Sequence, residues 1–153
     1  MDLTESEIFT GIHTLYSRYN WHLDIGDTDG MLALFLPEAS ITQPGPDGPV
    51  TASGAGGVRG VIEGWHSNPE QRGRQHQVTN IVVLPGPDSR PDQRSVRTFF
   101  IVTDGRDAPP SQLIWCGYSS DVVVLTGDGW RFLDREVGIW GPDAVDRFRA
   151  EGA

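Results

Sequence analysis

The chain has little cysteine, few basic residues and no long apolar run. Its one cysteine, Cys116, rules out a disulfide within the chain and a cysteine-rich zinc site. Such usage suits a reducing cytoplasm. Twelve Lys and Arg stand against 21 Asp and Glu, a formal net charge of −9. Nucleic-acid phosphates would be repelled by that surface, and polybasic membrane attachment is excluded. The longest apolar run, Met31 to Leu36, falls far short of the ~20 residues that span a bilayer. The opening residues, with Glu5 and Glu7, lack the apolar centre of a signal peptide. The expectation is a soluble cytoplasmic protein with neither nucleic acid nor membrane as partner.

What is present fits one globular domain. Of 153 residues, 37% are hydrophobic and 22% charged, the balance of a folded chain. A chain of this length buries roughly 68–70% of its unfolded surface, enough for a core without metals or disulfides. The core is expected over about residues 5–141, with a polar tail at 142–153 in which Asp143 to Ala150 can form a short helix.

The N-terminal third reads as helix. Thr4 and Glu7 form a capping box, and Ile8, Ile12, Leu15, Tyr16, Tyr19 and Leu23 make one apolar stripe. Gly26 is a natural stop. Asp27 or Thr28 caps a second short helix through Phe35, ended by Pro37, and a short strand follows around Ala39 to Thr42. Residues 44–60 hold three Pro and six Gly and read as a loop. A third helix is expected over Val58 to His66. Four strands then follow: Arg74–Leu84, Arg94–Thr103, Gln112–Leu125 and Trp130–Trp140. They are separated by turn clusters at Pro85 to Asp88, Asp104 to Pro110 and Gly127 to Gly129. Helices first and sequential strands after predict an α+β fold, an antiparallel sheet curling around the helices.

Two residues invite chemistry. His76 shares a strand face with Val78, Asn80, Val82 and Leu84, opposite polar Gln75, Gln77 and Thr79, so its ring is expected to point inward. Asp24 lies in the last turn of the first helix, where the dipole disfavours a carboxylate by roughly 0.3–1 kcal/mol. Residues that break a local rule are candidates for function. Each also has a plain reading, a core histidine satisfied by backbone and a solvated aspartate. Together they form a pair in which the carboxylate fixes the imidazole tautomer and stabilises the imidazolium, and the free nitrogen moves a proton. Tyr19, Phe35, Trp65, Phe100, Trp115, Tyr118 and Trp140 are candidate walls of an apolar pocket, with Val78 beside His76. Asn80 and Tyr118 are candidate donors to a substrate oxygen. For each of these residues core packing is the alternative.

Other motifs are absent. Gly54 to Gly60 is not a dinucleotide fingerprint, because Arg59 stands where the third glycine belongs. No Walker A, HExxH or GxSxG pattern occurs. His13, His22 and His66 lack metal-ligand spacing, so no metal and no cofactor is expected. Cys116, inside a strand, reads as a small buried hydrophobe.

The order of these pieces resembles the SnoaL-like branch of the NTF2-like superfamily. The resemblance runs through Tyr19–Asp24 with Gly26-Asp27 and Leu32–Phe35, then Gly60-Val61-Ile62, His76–Val83, Gly117-Tyr118 and Gly129–Val137. It implies a cone-shaped α+β barrel, a curved antiparallel sheet wrapped around N-terminal helices and open onto a hydrophobic pocket. In the dehydratase and dehydrochlorinase types, an Asp ends the first helix and a His sits on the strand after the third. Asp24 and His76 fall at those positions. The resemblance therefore implies a cofactor-independent lyase or isomerase acting on a small hydrophobic oxygenated molecule, such as a polyketide, terpenoid, steroid or aromatic compound. It also implies a homo-oligomer, a trimer ahead of a dimer. Three departures stand out: Phe99 follows Arg97 where epoxide hydrolases carry Asp, strand 94–103 has no second His, and Leu23 replaces the Tyr that precedes the Asp of scytalone dehydratase. Two other readings share the fold: a non-catalytic subunit like the small subunits of ring-hydroxylating dioxygenases, or another ligand-binding protein, and a polyketide or isoprenoid cyclase that works mainly by pocket shape.

Overall fold

The computed structural model describes residues 3–87, 90–106 and 111–152. Helix α1 (Glu5–Ile25) starts at the capping box, where the Thr4 hydroxyl accepts the Glu7 N–H at 3.3 Å and the Glu7 carboxylate accepts the Thr4 N–H at 2.8 Å. It buries Ile12, Leu15, Tyr16 and Tyr19 and stops at Gly26, whose φ of 75° is left-handed. Asp27 caps α2 (Thr28–Leu32) by accepting the Gly30 N–H at 2.9 Å. Pro37 does not end that helix. It lies inside β1 (Phe35–Gly45), because Phe35 is drawn into the core against Tyr19 and Phe132.

Residues 44–60 are not a loop. They complete β1, turn at Gly45–Gly48 into β2 (Gly48–Ser53) and begin α3 (Gly54–Ser67). The prolines fit because Pro44 and Pro49 face each other beyond the stretch of β1 that pairs with its inner neighbour. There the missing N–H groups cost no inner ladder bond. A 3₁₀ turn at Pro69–Gln71 leads to β3 (Arg74–Pro85), β4 (Gln93–Asp104), β5 (Gln112–Thr126), β6 (Gly129–Ile139) and α4 (Pro142–Glu151). The turns expected after β3 and β4 run through Asp88 and residues 107–110, which lie outside the described residues.

The six strands form one curved sheet in the order β2-β1-β6-β5-β4-β3. It is mixed rather than wholly antiparallel, because β1 runs parallel to β6. Parallel neighbours need a long connection, and α3 with four strands, β2 to β5, supplies it. Helices α1 and α3 pack on the inner face. The core gathers Tyr16, Ile12, Met31, Ile41, Ile62 and Phe132, with ring centroids 5.4 Å apart for both Tyr16–Phe132 and Tyr19–Phe132.

Two bulges reset which residues face inward. In β3 the register shifts between Thr79 and Val82, and Asn80 takes a left-handed φ of 52°. Before it His76 and Val78 face in. After it Ile81 and Val83 pack on the core and Val82 is exposed. In β6 the register shifts between Phe132 and Asp134, so Arg135 and Val137 turn inward instead of Asp134 and Glu136.

Helix α4 lies on the outer face. Phe148 meets Tyr118 edge-on at 5.1 Å and stacks on Trp140, Arg97 pairs with Glu151 at 3.0 Å, and Arg147 pairs with Glu136. Cys116 is exposed on its strand rather than buried.

Gly117 has no room for a side chain. A Cβ there would lie 2.2 Å from the Phe100 ring and 2.6 Å from the Gly138 carbonyl oxygen. Gly117→Ala is expected to cost about 1–3 kcal/mol as Phe100 is forced aside. Urea unfolding checks this, and an unchanged midpoint would refute it.

Candidate active site

The α1 C-terminus and the start of β3 meet at Asp24 and His76. One carboxylate oxygen, Oδ2, accepts the His76 backbone N–H at 2.9 Å, and Oδ1 lies 2.6 Å from the ring Nδ1. These two donors offset the penalty of a carboxylate at a helix C-terminus. Both side chains are largely buried, 19% exposed for Asp24 and 13% for His76. With the carboxylate ionised, the proton between them sits on Nδ1 and the other ring nitrogen, Nε2, keeps its lone pair. Nε2 has no hydrogen bond to a described residue, and the ring lines a cavity of about 240 Å³ between the helices and the sheet.

Five of the expected pocket residues line that cavity: Tyr19, Trp65, Val78, Phe100 and Trp115. The Trp115 and Phe100 rings meet edge to face at 5.8 Å. Trp65 Nε1 donates to Gln43 Oε1 at 2.8 Å, tying α3 to β1 at the cavity edge. Four other expected residues are elsewhere. Phe35 is core, packed 5.2 Å from Phe132. Asn80 is exposed at the β3 bulge, which takes its side chain off the inner face. Tyr118 points outward and donates to Glu136 at 3.1 Å, and burial beside that carboxylate raises its pKa. Trp140, 36% exposed, packs on Phe99 under α4. Asn80 is therefore a backbone residue here. Asn80→Gly should leave stability nearly unchanged, whereas Asn80→Val should cost about 1–2 kcal/mol of left-handed strain. Equal thermal midpoints for the two variants would contradict this.

The sequence reading missed the charged wall of the cavity. Arg135 lines it from β6 at 5% exposure, and its Nη1 donates to Asp121 of β5 at 2.7 Å. The same Asp121 oxygen accepts Ser119 Oγ at 2.6 Å and the Tyr16 hydroxyl. Thr98 and Ser119 share a further bond of 2.8 Å. The Arg135 guanidinium lies 4.0 Å over the Tyr19 ring. Burial pushes the Asp121 carboxyl up while Arg135, Ser119 and Tyr16 pull it back, and burial raises both Tyr16 and Tyr19. Both phenols stay protonated near neutrality. The available signal was Asp121 alternating with inward Ser119 and Val123, directly opposite Arg135.

His22 and His66 serve structure. His22 Nδ1 sits 2.9 Å from Asp27, and His66 Nδ1 sits 2.7 Å from the Thr28 hydroxyl, with burial lowering the His66 pKa. Among the described residues no group of three or more His, Cys, Asp or Glu is placed to hold a metal. No described helix is long and apolar enough to cross a membrane.

The fold has many solved relatives at low identity. A cystatin-like-fold protein of unknown function from Nostoc punctiforme superposes with a TM-score of 0.74 at 19% identity, covering 93% of this chain and 97% of its own. A proposed scytalone dehydratase from Novosphingobium aromaticivorans gives 0.69 at 22%, covering 87% and 84%. ActVI-ORFA from Streptomyces coelicolor gives 0.73 at 19%, covering 86% and 96%. At such identities these likenesses concern the fold. No curated protein matches the sequence. The SnoaL-like domain matches residues 4–136, most of the chain, and the protein belongs to that family.

Proposed function

We propose that the protein is a cofactor-independent lyase or isomerase that moves a proton through His76, on a small hydrophobic oxygenated molecule held in the cavity. One observation carries this reading. Asp24 grips both the ring Nδ1 and the backbone N–H of His76, so Nε2 is presented to the cavity as a base. Nε2 takes the proton from a carbon next to a carbonyl, and the C–H electron pair moves into the enolate. The imidazolium then returns that proton. Delivered to a β-hydroxyl leaving group, it releases water. Delivered to another carbon, it completes an isomerisation. Asp24 stays ionised throughout and balances the imidazolium.

Two further facts support the reading. None of the 153 residues is lysine, so a Schiff base on a lysine amine is not available for carbanion chemistry. The His76–Asp24 pair also differs from the structural His22–Asp27 pair in that its ring lines the cavity, which His22 and Asp27 do not.

The test uses a cavity-sized ketone. Incubated with 2-tetralone in D₂O, the protein should exchange the ketone's α-hydrogens for deuterium faster than buffer does, followed by proton NMR. Exchange no faster than in buffer across a panel of one- and two-ring ketones would sink the proposal.

A further inference from the structure

The outer face of the sheet carries two opposite charges in one row. Arg97 of β4 sits in register with Ser120 of β5, and Ser120 with Glu136 of β6. The residues next to them in the chain, Thr98, Asp121 and Arg135, face inward, so all three of the row face outward. Aromatic side chains flank the row. Tyr118 is partly covered, and Phe99 and Trp140 stay 37% and 36% exposed even with α4 docked.

Helix α4 answers each charge on this face. Glu151 accepts from Arg97 Nη2 at 3.0 Å, and the Gly152 carbonyl accepts from Arg97 Nη1 at 2.7 Å. Arg147 Nη2 donates to Glu136 Oε2 at 2.9 Å. Phe148 fills the space between, 5.1 Å from the Tyr118 ring and under the Arg97 guanidinium at 5.2 Å. Little else holds the helix. Ala144 is the one residue of α4 that is buried, and partly exposed ion pairs contribute little. Such docking belongs to the low end of local stability, from which moving elements are drawn.

A second copy can supply the same groups. A two-fold axis running along β5 outside this face lays β4 of one copy over β6 of the other and keeps position along the strands. Arg97 then faces Glu136 of the second copy, Glu136 faces Arg97 of the second copy, and the two Tyr118 rings meet near the axis. Stacked sheets lie about 10 Å apart, a gap that arginine and glutamate reaching from opposite sides can span. The formal net charge of −9 disfavours contact between copies in general, whereas this row matches opposite charges.

We propose that the outer face of β4–β6 is a docking surface for a second copy of this chain, and that α4 is its built-in competitor. In cis it offers the carboxylate, the guanidinium and the ring that the second copy offers in trans. With α4 docked the face is closed. When α4 leaves, two chains pair through it. Both chains must release α4, so a tenfold weaker docking tightens the pair by up to about a hundredfold.

Sedimentation equilibrium of the 153-residue chain tests this. Arg147→Ala/Phe148→Ala weakens α4 and leaves the sheet untouched. It should self-associate at least about tenfold more tightly than wild type, towards twice the wild-type mass. Arg147→Glu/Glu151→Lys keeps the ring and reverses both α4 charges. It should do the same, and it decides if the first variant does not fold. Added to either variant, Arg97→Glu sets carboxylate against carboxylate and should return the wild-type mass. Adding Glu136→Arg as well should restore the pair. Self-association no tighter than wild type in the folded α4 variants would overturn the proposal. So would a doubled mass that survives Arg97→Glu, which means another face, or one that Glu136→Arg fails to restore. Aggregation without a two-fold stoichiometry would overturn it too, as mere exposure of Phe99 and Trp140.

Discussion

His76→Ala is expected to lower protein-catalysed deuterium exchange of 2-tetralone by about 10²–10⁴-fold, the usual contribution of a positioned general base. Asp24→Asn should have nearly the same effect, for a reason specific to this geometry. Oδ2 of Asp24 accepts a backbone N–H, which can only donate. An amide at this position must turn its oxygen to that N–H, and its NH₂ then faces the ring Nδ1. That forces the histidine proton onto Nε2, so the ring no longer presents a lone pair to the cavity. Both hydrogen bonds survive, so Asp24→Asn should fold with a stability within about 1 kcal/mol of wild type. A folded Asp24→Asn protein with wild-type exchange would remove Asp24 from the mechanism. Wild-type exchange in His76→Ala would remove the mechanism itself.

The second large effect is on stability. Asp121→Ala should destabilise the protein by about 3–5 kcal/mol, because it leaves the Arg135 cation buried without its partner. Tyr16 and Ser119 lose their acceptor at the same time. Urea unfolding measures the loss. Asp121→Asn/Arg135→Gln should recover much of it, since no isolated charge remains. A loss below about 1 kcal/mol for Asp121→Ala would mean that solvent reaches Arg135, and the pair would not be the closed one described.

Periodicity and caps made the helices and the four long strands legible. Thr4, Glu7, Gly26 and Asp27 do in the structure what their local chemistry implies. Composition misled over residues 44–60, because Gly and Pro mark hairpin edges and helix starts as readily as loops. The parallel pairing of β1 with β6 had no local trace, since neither strand's pattern reports its neighbour. The bulges mattered most for the site. Strict alternation from Trp130 places Asp134 and Glu136 inward, and one extra residue in β6 brings Arg135 in instead. The same effect at Asn80 ended the inward row that His76 and Val78 begin. Outward-facing aromatics such as Tyr118 and Trp140 were misassigned because a residue type does not say which side of a sheet it occupies.

The parallel seam between β1 and β6 also bears on the order in which the molecule can assemble. Ser40 lies against Asp134, 94 residues further along, with their side chains 2.7 Å apart. Closing so long a loop carries a heavy entropic cost before any contact offsets it, and such topologies fold slowly. Hairpins β3–β4 and β5–β6 can form from near neighbours, but Phe35 cannot reach Phe132 until the last strand exists. A chain emerging in order thus holds Asp24 and His76 long before the wall bearing Arg135 has been made. During that interval the aromatic face of α1 has no core to enter, and this is the stage at which the polypeptide is most exposed to aggregation.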